Sequence, residues 1–250
     1  TDENGQELPV IYQPIYETQG LPDTVYEIRA AEDVVTPDGT LRYSKGELVD
    51  TVTTDEMGFA ESKELYLGKY EVKEVKAGYG MVLSDEVHTV ELIYAGQNVA
   101  VTETATSFVN ERQKVEVSLE KALETSELFG IGNNGEIKNI SFGLFADEEL
   151  VSASGTSIPK DGLIEIITLD ENGKATVKTD LPLGSYYVKE LATDEHYQLS
   201  SEKYPVVFEY AGQETATVAI AVNNGEPMEN KLIYGSVSGK KVDENGEGLG

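Results

Sequence analysis

A seven-residue pattern, Gly-x-Tyr-x-Val-Lys-Glu, occurs twice in this chain, at residues 68–74 and again at residues 184–190. Successive side chains of an extended strand point to opposite faces, so the tyrosine, valine and glutamate of each copy share one face. Glutamate is rarely buried unless a core group pairs with it or keeps it protonated. The pattern therefore predicts a strand that carries an acid on its apolar face and meets a partner for that acid in the core.

The pattern belongs to a longer repeat. A shift of 116 residues places residues 73–97 over residues 189–213 without a gap, and the tetrapeptide Tyr-Ala-Gly-Gln starts at both Tyr94 and Tyr210. Further along, the shift becomes 120 residues and places Lys121 over Lys241. Self-similarity at a fixed period indicates tandem domains of one kind.

The repeat predicts where these domains begin and end. We expect module one at residues 1–112, module two at residues 113–232 and the first strand of a third module at residues 233–250. Because Thr1 aligns with a residue just after Lys241, the lysine of the first module is expected to precede Thr1. The chain is therefore expected to be a fragment of a longer protein.

Composition excludes several classes of partner. The formal net charge of the 250 residues is -27, which would repel nucleic acid and anionic membranes. There is no cysteine, so neither disulfides nor thiolate metal sites are available. No apolar run approaches the roughly 18 residues of a membrane span. We expect no cofactor, no metal ion and no membrane span in this part of the protein.

The local patterns are those of β-strands. Residues 115–119 and 217–222 alternate between apolar and polar positions, and Asp-Glu-Asn-Gly turns occur at residues 2–5, 170–173 and 243–246. Short strands separated by frequent turns favour an all-β fold of tandem antiparallel β-sandwiches. Only residues 123–128 read as weakly helical.

The order of the motifs resembles one family. Lys121, then Leu-Pro-Leu-Gly-Ser-Tyr-Tyr-Val-Lys-Glu at residues 181–190, then Asn230, is similar to the collagen-adhesin B-type domains of Gram-positive surface proteins and pilins (CnaB or SpaA-like, with an immunoglobulin-like or prealbumin-like sandwich). The resemblance implies that Lys121 and Asn230 condense to an intramolecular isopeptide bond and that Glu190 is the catalyst. It also implies an extracellular protein, anchored to the cell wall through a region outside this fragment.

The implied chemistry is physically reasonable. A lysine amine attacks a carboxamide only when it is unprotonated, and burial in an apolar core disfavours charged side chains. A neutral carboxylic acid beside the pair would hydrogen-bond the carboxamide oxygen and carry protons from the amine to the departing ammonia. Nearby tyrosines, Tyr186 among them, are expected to form the apolar walls. Each domain would react once, so the chain is not expected to be an enzyme with turnover.

Module one departs from the pattern. Glu74 and Asn110 match the catalytic acid and the asparagine, but Tyr66 stands where the family has proline and the lysine partner is missing from the sequence. Its crosslink is therefore left open. Lys241 is a lysine of the next module without an acid or asparagine of its own here, and Lys240 competes for that role.

Other interpretations remain. We interpret the chain as a structural stalk, with neighbouring modules of the same chain as partners. The alternative is an adhesin module that recognises a host protein or glycan. His88 and His196 are expected to be surface residues without a metal role, and the Asp-Glu-Asn-Gly segments to be turns rather than calcium loops. Lys160 is a weak candidate for sortase-mediated linkage between subunits.

Overall fold

The computed structural model describes residues 9–152 and 155–241, and these residues form short β-strands with two single turns of 3-10 helix. The strands of module one are β1 (Val25–Ala30), β2 (Val34–Val35), β3 (Leu41–Tyr43), β4 (Leu48–Thr53), β5 (Gly68–Lys76) and β6 (Val87–Leu92). The strands of module two are β7 (Lys114–Leu123), β8 (Ser141–Ala146), β9 (Leu150–Val151), β10 (Ser157–Ile158), β11 (Leu163–Thr168), β12 (Lys174–Thr176), β13 (Gly184–Ala192), β14 (Lys203–Phe208), β15 (Thr217–Ala221) and β16 (Met228–Asn230).

Module two is a sandwich of two sheets. One sheet has the antiparallel order β11-β8-β13-β14, and the other has the order β12-β7-β15 with β16 beside the end of β7. Side chains from both sheets form one apolar core, which includes Val117, Phe142, Leu144, Val188 and Phe208. The predicted all-β sandwich class is therefore confirmed.

The opening strand of module two runs parallel to its two closing strands. The first half of β7 pairs with β15, and its second half pairs with β16 in a register that places Met228 beside Lys121 and Asn230 beside Leu123. The remaining ladders between the longer strands are antiparallel. This parallel pairing places the strand with which the chain enters module two beside the strand with which it leaves that module.

Module one repeats only the first of these sheets within the described residues. Its strands have the order β4-β1-β5-β6, which matches β11-β8-β13-β14 of module two, with the β2-β3 hairpin beside them. The core is smaller and is built around Ile28, Ala30, Val34, Val49 and Tyr70. No described residues form a second sheet over it, since the strand that opens the second sheet in module two has no counterpart in the described part of module one.

One local prediction differs from the structure, and another extends beyond the described residues. Residues 123–128 are not helical: β7 ends at Leu123, and Ser126 then forms a β-bridge with Ile131. Residues 233–241 are not paired in a strand, and residues 242–250 lie outside the described part, so the first strand of a third module at residues 233–250 stays a prediction. The Asp-Glu-Asn-Gly turn at residues 170–173 is confirmed, with Asp170 capping the turn by accepting from two backbone N–H groups.

The two modules contact each other directly. The loop between β5 and β6 of module one meets the turn between β14 and β15 of module two, where Leu83 N donates to the Gln213 carbonyl at 2.9 Å. On another side, Tyr12 N donates to Leu163 O at 2.8 Å, so the segment before β1 packs on β11 of module two. The Arg112 guanidinium lies 3.4 Å from the centre of the Tyr16 ring and 2.7 Å from Asp180.

Candidate functional site: a buried lysine, glutamate and asparagine

Strand β13 carries the catalytic candidate on the core face, as the alternation predicts. Tyr186 and Val188 are fully buried and Glu190 is 2% exposed. The Tyr186 hydroxyl donates to the Pro182 carbonyl at 2.6 Å, which ties the strand to the Leu-Pro-Leu-Gly segment before it. At Gly184 an added Cβ would lie 2.7 Å from Leu150 Cδ2, the end of a side chain that would have to move to make room.

Glu190 meets the two other predicted residues in the core between the sheets. The Lys121 Nζ donates to Asn230 Oδ1 at 2.6 Å and lies 3.5 Å from Glu190 Oε1. The Asn230 Nδ2 donates to the same Glu190 oxygen at 2.8 Å. Lys121 is 5% exposed and Asn230 is 2% exposed, so three side chains from β7, β13 and β16 form one closed polar cluster.

Two further groups hold this cluster in place, and the sequence interpretation missed both. The Thr193 hydroxyl accepts the second proton of the Asn230 amide at 2.9 Å. The Ser200 backbone N–H donates to the other oxygen of Glu190 at 2.7 Å. Because a carboxamide N–H₂ has two protons to place, a second acceptor near Asn230 was implied by its burial, but its identity depends on the loop after β13.

Burial controls the charge of the lysine. Removal from water lowers the pKa of Lys121, and the negative charge of Glu190 beside it acts in the opposite direction. Phe142, the cross-strand neighbour of Glu190 on β8, places its ring 5.9 Å from the Lys121 Nζ. The aromatic wall next to the amine is therefore Phe142, whereas Tyr186 lies further along β13 in the same core.

Within its described residues, module one contains the acid and the asparagine of this site but no lysine beside them. We call this pair, Glu74 and Asn110, the half-site. Glu74 is fully buried, and Asn110 Nδ2 donates to its two carboxylate oxygens at 2.7 and 3.0 Å and to the Val82 carbonyl at 3.0 Å. Ser84 N lies 3.5 Å from Glu74, at the position that corresponds to Ser200 of module two. None of the described lysines forms an ion pair or hydrogen bond with Glu74 or Asn110.

The electrostatics of the half-site follow from burial. Burial raises the pKa of Glu74, while the hydrogen bonds from Asn110 and Ser84 act in the opposite direction. Tyr26, the cross-strand neighbour of Glu74 and the counterpart of Phe142, has its pKa raised to about 12, first by burial and then by the charge of Glu74. The Tyr70 hydroxyl donates to the Tyr66 carbonyl at 2.6 Å, so the tyrosine that replaces proline supplies the same backbone acceptor.

The remaining candidates lie apart from these sites. His88 stacks on Phe108 with ring centres 4.0 Å apart, and His196 pairs with Asp194, which raises the pKa of that imidazole. Lys160 lies on the surface beside Asp147, and Lys241 is exposed. Within residues 9–152 and 155–241, no three potential metal ligands cluster.

Comparison with known proteins identifies the family. The SpaA prealbumin-like fold domain matches residues 16–107 and 130–224. The first range includes Glu74 and stops before Asn110. The second begins after Lys121, includes Glu190 and stops before Asn230. No helix in the described residues is long and apolar enough to cross a membrane.

Three relatives show how far the similarity to individual proteins extends. The trypsin-resistant surface T6 protein of Streptococcus pyogenes serotype M6 is 27% identical over 142 residues, which are 56% of this chain and 25% of that protein. The structure of the Bacillus anthracis TIE protein is 20% identical, with a TM-score of 0.52 over 86% of this chain and 32% of that one. The minor pilin GBS52 of Streptococcus agalactiae is 18% identical, with a TM-score of 0.33 over 94% of this chain and 96% of that one. Because the family match covers more than half of the sequence in two copies, this chain belongs to the SpaA prealbumin-like domain family.

Proposed function

We propose that this chain is a structural segment of a bacterial cell-surface protein, a pilus-like or adhesin stalk, in which module two is locked by an isopeptide bond between Lys121 and Asn230. The observation that carries the proposal is the closed cluster in which Lys121 Nζ, Asn230 and Glu190 lie within 3.5 Å of one another away from water. The family and the surface proteins among its relatives support the extracellular setting. Attachment to the cell wall through another region is part of the same proposal.

The geometry suits a single condensation. Transfer of one lysine proton to Glu190 leaves a neutral amine and a neutral acid, which a low-dielectric core favours over two charges. The Lys121 nitrogen then attacks the Asn230 carbonyl carbon, forming the new C–N bond. Glu190 Oε1, which is 3.5 Å from the amine and 2.8 Å from the Asn230 nitrogen, delivers a proton to that nitrogen. The bond to Nδ2 breaks and ammonia leaves, while the Lys121 nitrogen passes its second proton to Glu190. The products are a neutral amide, ammonia and the protonated acid, so atoms and charge balance.

The product would carry tension. Lys121 and Asn230 are separated by 109 positions and lie near the adjacent ends of the parallel strands β7 and β16. A covalent bond at this point lets a pull on the two ends pass from β7 directly to the residues after β16. The sandwich between them would then bear no load.

We propose that module one holds an incomplete site of the same kind, in which the acid and the asparagine are present and the lysine is missing. Glu74 and Asn110 are already hydrogen-bonded to each other in the arrangement of Glu190 and Asn230. A lysine strand running beside the Asn110 segment, as β7 runs beside β16, would complete the site. In the chain of 250 residues alone, we expect no bond in module one.

Intact-mass measurement tests the proposal. Formation of one bond releases one ammonia, so the purified chain should weigh about 17 Da less than its sequence, and Glu190→Ala should restore the full mass because the proton carrier is lost. Glu74→Ala is the matched control, since it removes the corresponding acid of module one and should leave the 17 Da deficit unchanged. A wild-type chain of full mass would refute the crosslink.

The ligand-binding alternative is not proposed for any particular place. A cleft between the segment before β1 and module two, lined by residues such as Gln13, Tyr16, Glu165 and Asp180, is wide and open to solvent. A specific ligand site is usually concave and apolar with a few convergent polar groups. Nothing in that cleft selects a ligand.

A further inference from the structure

The turn between β14 and β15 of module two is a docking element. Residues 210–213 of this turn pack against the loop at residues 77–83 of module one. The contacts between turn and loop are Ala77 N to Gln213 Oε1 at 2.9 Å, Leu83 N to Gln213 O at 2.9 Å, Tyr210 hydroxyl to Met81 O at 2.9 Å, and the rings of Tyr79 and Tyr210 at 5.0 Å. The contact uses backbone groups of the loop, so it depends on the loop's shape more than on its sequence.

The same turn exists in module one, where none of the residues 9–152 and 155–241 forms a hydrogen bond or ring contact with Tyr94 or Gln97. Tyr94-Ala95-Gly96-Gln97 has the same four residues, Gly96 has φ 108° where Gly212 has φ 94°, and the Val99 N–H to Gly96 O bond repeats the Thr215 N–H to Gly212 O bond at 3.2 Å. Tyr94 is 67% exposed and Gln97 is exposed, whereas Tyr210 and Gln213 are half-buried in the contact. The free turn is therefore already in the docking conformation.

Module two offers a matching loop at residues 193–199. The Gln198 N–H bonds the Lys231 carbonyl as the Val82 N–H bonds that of Glu111, so the loop is tied to the following strand in the same register. The backbone N–H groups of Thr193 and Leu199 and the carbonyl of Tyr197 correspond to the three groups that the docking turn uses in module one. Within residues 9–152 and 155–241 these three groups have no hydrogen-bond partner, and Leu199 is 55% exposed.

We infer that Tyr94–Gln97 is a docking turn for another module of this kind, and that a second copy of this chain supplies one by presenting its loop at residues 193–199. The two halves of the contact lie on different modules of one chain, so the interface is heterologous and extends head to tail. The inference does not depend on the isopeptide bond.

Two substitutions weaken the new contact. Glu195 stands where the internal contact has Tyr79, so the ring contact with the tyrosine of the turn is lost. In the internal interface Gln113 is 2% exposed and its side chain bonds Ala211 N, Gly212 O and Thr215 O. Its counterpart after module two is Ile233, which cannot form these bonds. The contact between copies is therefore weaker than the internal one and is best captured by a covalent trap.

Because the chain has no cysteine, disulfides can form only between the introduced cysteines. Single variants Gln97→Cys and Leu199→Cys are mixed and exposed to oxidised glutathione. They occupy the positions of Gln213 and Leu83, which share a backbone hydrogen bond of 2.9 Å in the internal contact, and a disulfide requires Cα atoms about 4.4–6.8 Å apart. We expect a disulfide-linked heterodimer in several-fold higher yield than from Gln97→Cys mixed with Asp38→Cys, an exposed turn position outside the contact.

The internal contact supplies the positive control. The double variant Leu83→Cys, Gln213→Cys should close a disulfide within one chain under the same conditions. Heterodimer yield equal to that of the Asp38 pair, with the internal control closed, overturns the inference. An internal control that stays open also overturns it, because the template contact is then absent. Loss of 17 Da in intact mass is read separately, so failure here leaves the crosslink result intact.

Discussion

At the residue scale, the site depends on where each proton of the Asn230 amide points. Glu190 accepts one and Thr193 accepts the other, which turns the carbonyl oxygen toward Lys121. In module one the residue that corresponds to Thr193 is Ala77, and the Val82 carbonyl takes the second proton instead. The amide nitrogen of the asparagine is thus positioned by a side chain in one module and by the backbone in the other.

Thr193→Val should slow bond formation. Valine keeps the shape but removes the acceptor, and the loss of one hydrogen bond worth about 1.4 kcal/mol corresponds to about a 10-fold slower reaction. The measurement is the rate of the 17 Da loss after refolding, followed by mass spectrometry. Thr193→Ser should restore the rate. A Thr193→Val chain that reacts as fast as wild type would show that the hydroxyl has no part in positioning.

The titration of Lys121 should be visible in a chain that cannot crosslink. In Glu190→Gln the lysine stays buried beside a neutral amide, so its folded-state pKa lies below the ordinary 10.5. Between the lowered folded-state value and 10.5 the unfolded chain binds more protons, so the free energy of unfolding should rise with pH across that interval and be flat below it. Denaturant titrations at several pH values measure this. The double variant Glu190→Gln, Lys121→Met should lack the rise; a rise of equal size there would assign it to another group.

At the element scale, register decides which residues meet. Strands β1, β5 and β6 of module one repeat β8, β13 and β14 of module two, and the docking turn joins the two modules. The loop that receives the turn also supplies the Val82 carbonyl to Asn110. The contact between modules therefore supports the half-site of module one.

Gln213→Ala should loosen this loop. The Ala77 N–H, on a residue that is 5% exposed, would lose its acceptor, at a cost of about 1–3 kcal/mol. We expect amide hydrogen exchange of residues 77–83 to accelerate by about 10-fold or more. Gln97→Ala is the matched control at the free turn and should leave that loop's exchange unchanged in dilute solution. Equal exchange in wild type and Gln213→Ala would contradict a docked interface.

At the scale of the whole molecule, the proposed bond determines which residues extend when the two ends of the chain are pulled apart. Residues between the two linked side chains would not extend, and residues outside them would. The residues between Lys121 and Asn230, which are 109 positions apart, would lie behind the crosslink. On the entropy model of disulfides, closing a loop of this size would stabilise module two by up to about 4.7 kcal/mol. The same bond would remove those residues from the path of the force.

Single-molecule pulling on the two ends checks this. In Glu190→Ala, unfolding of module two should add roughly 360 Å of contour length for the 109 positions between Lys121 and Asn230, because an extended residue spans about 3.3 Å. The wild-type chain should lack that step while keeping the unfolding of module one. A step of the same length in both chains would show that no bond bears the load.

The sequence alone determined the repeat, the all-β class and the acid on the core face of β13, because alternation and order along the chain are local properties, whereas the grouping of Lys121 and Asn230 with Glu190 was predicted from the resemblance to a family. Only the tertiary structure decided that Thr193, Ser200 and Phe142 complete the site, that module one holds a half-site without a lysine contact in its described residues, and that the Tyr-Ala-Gly-Gln turn docks on the preceding module. These depend on which loops and sheet faces meet, and no periodicity in the chain encodes a contact between residues brought together by packing.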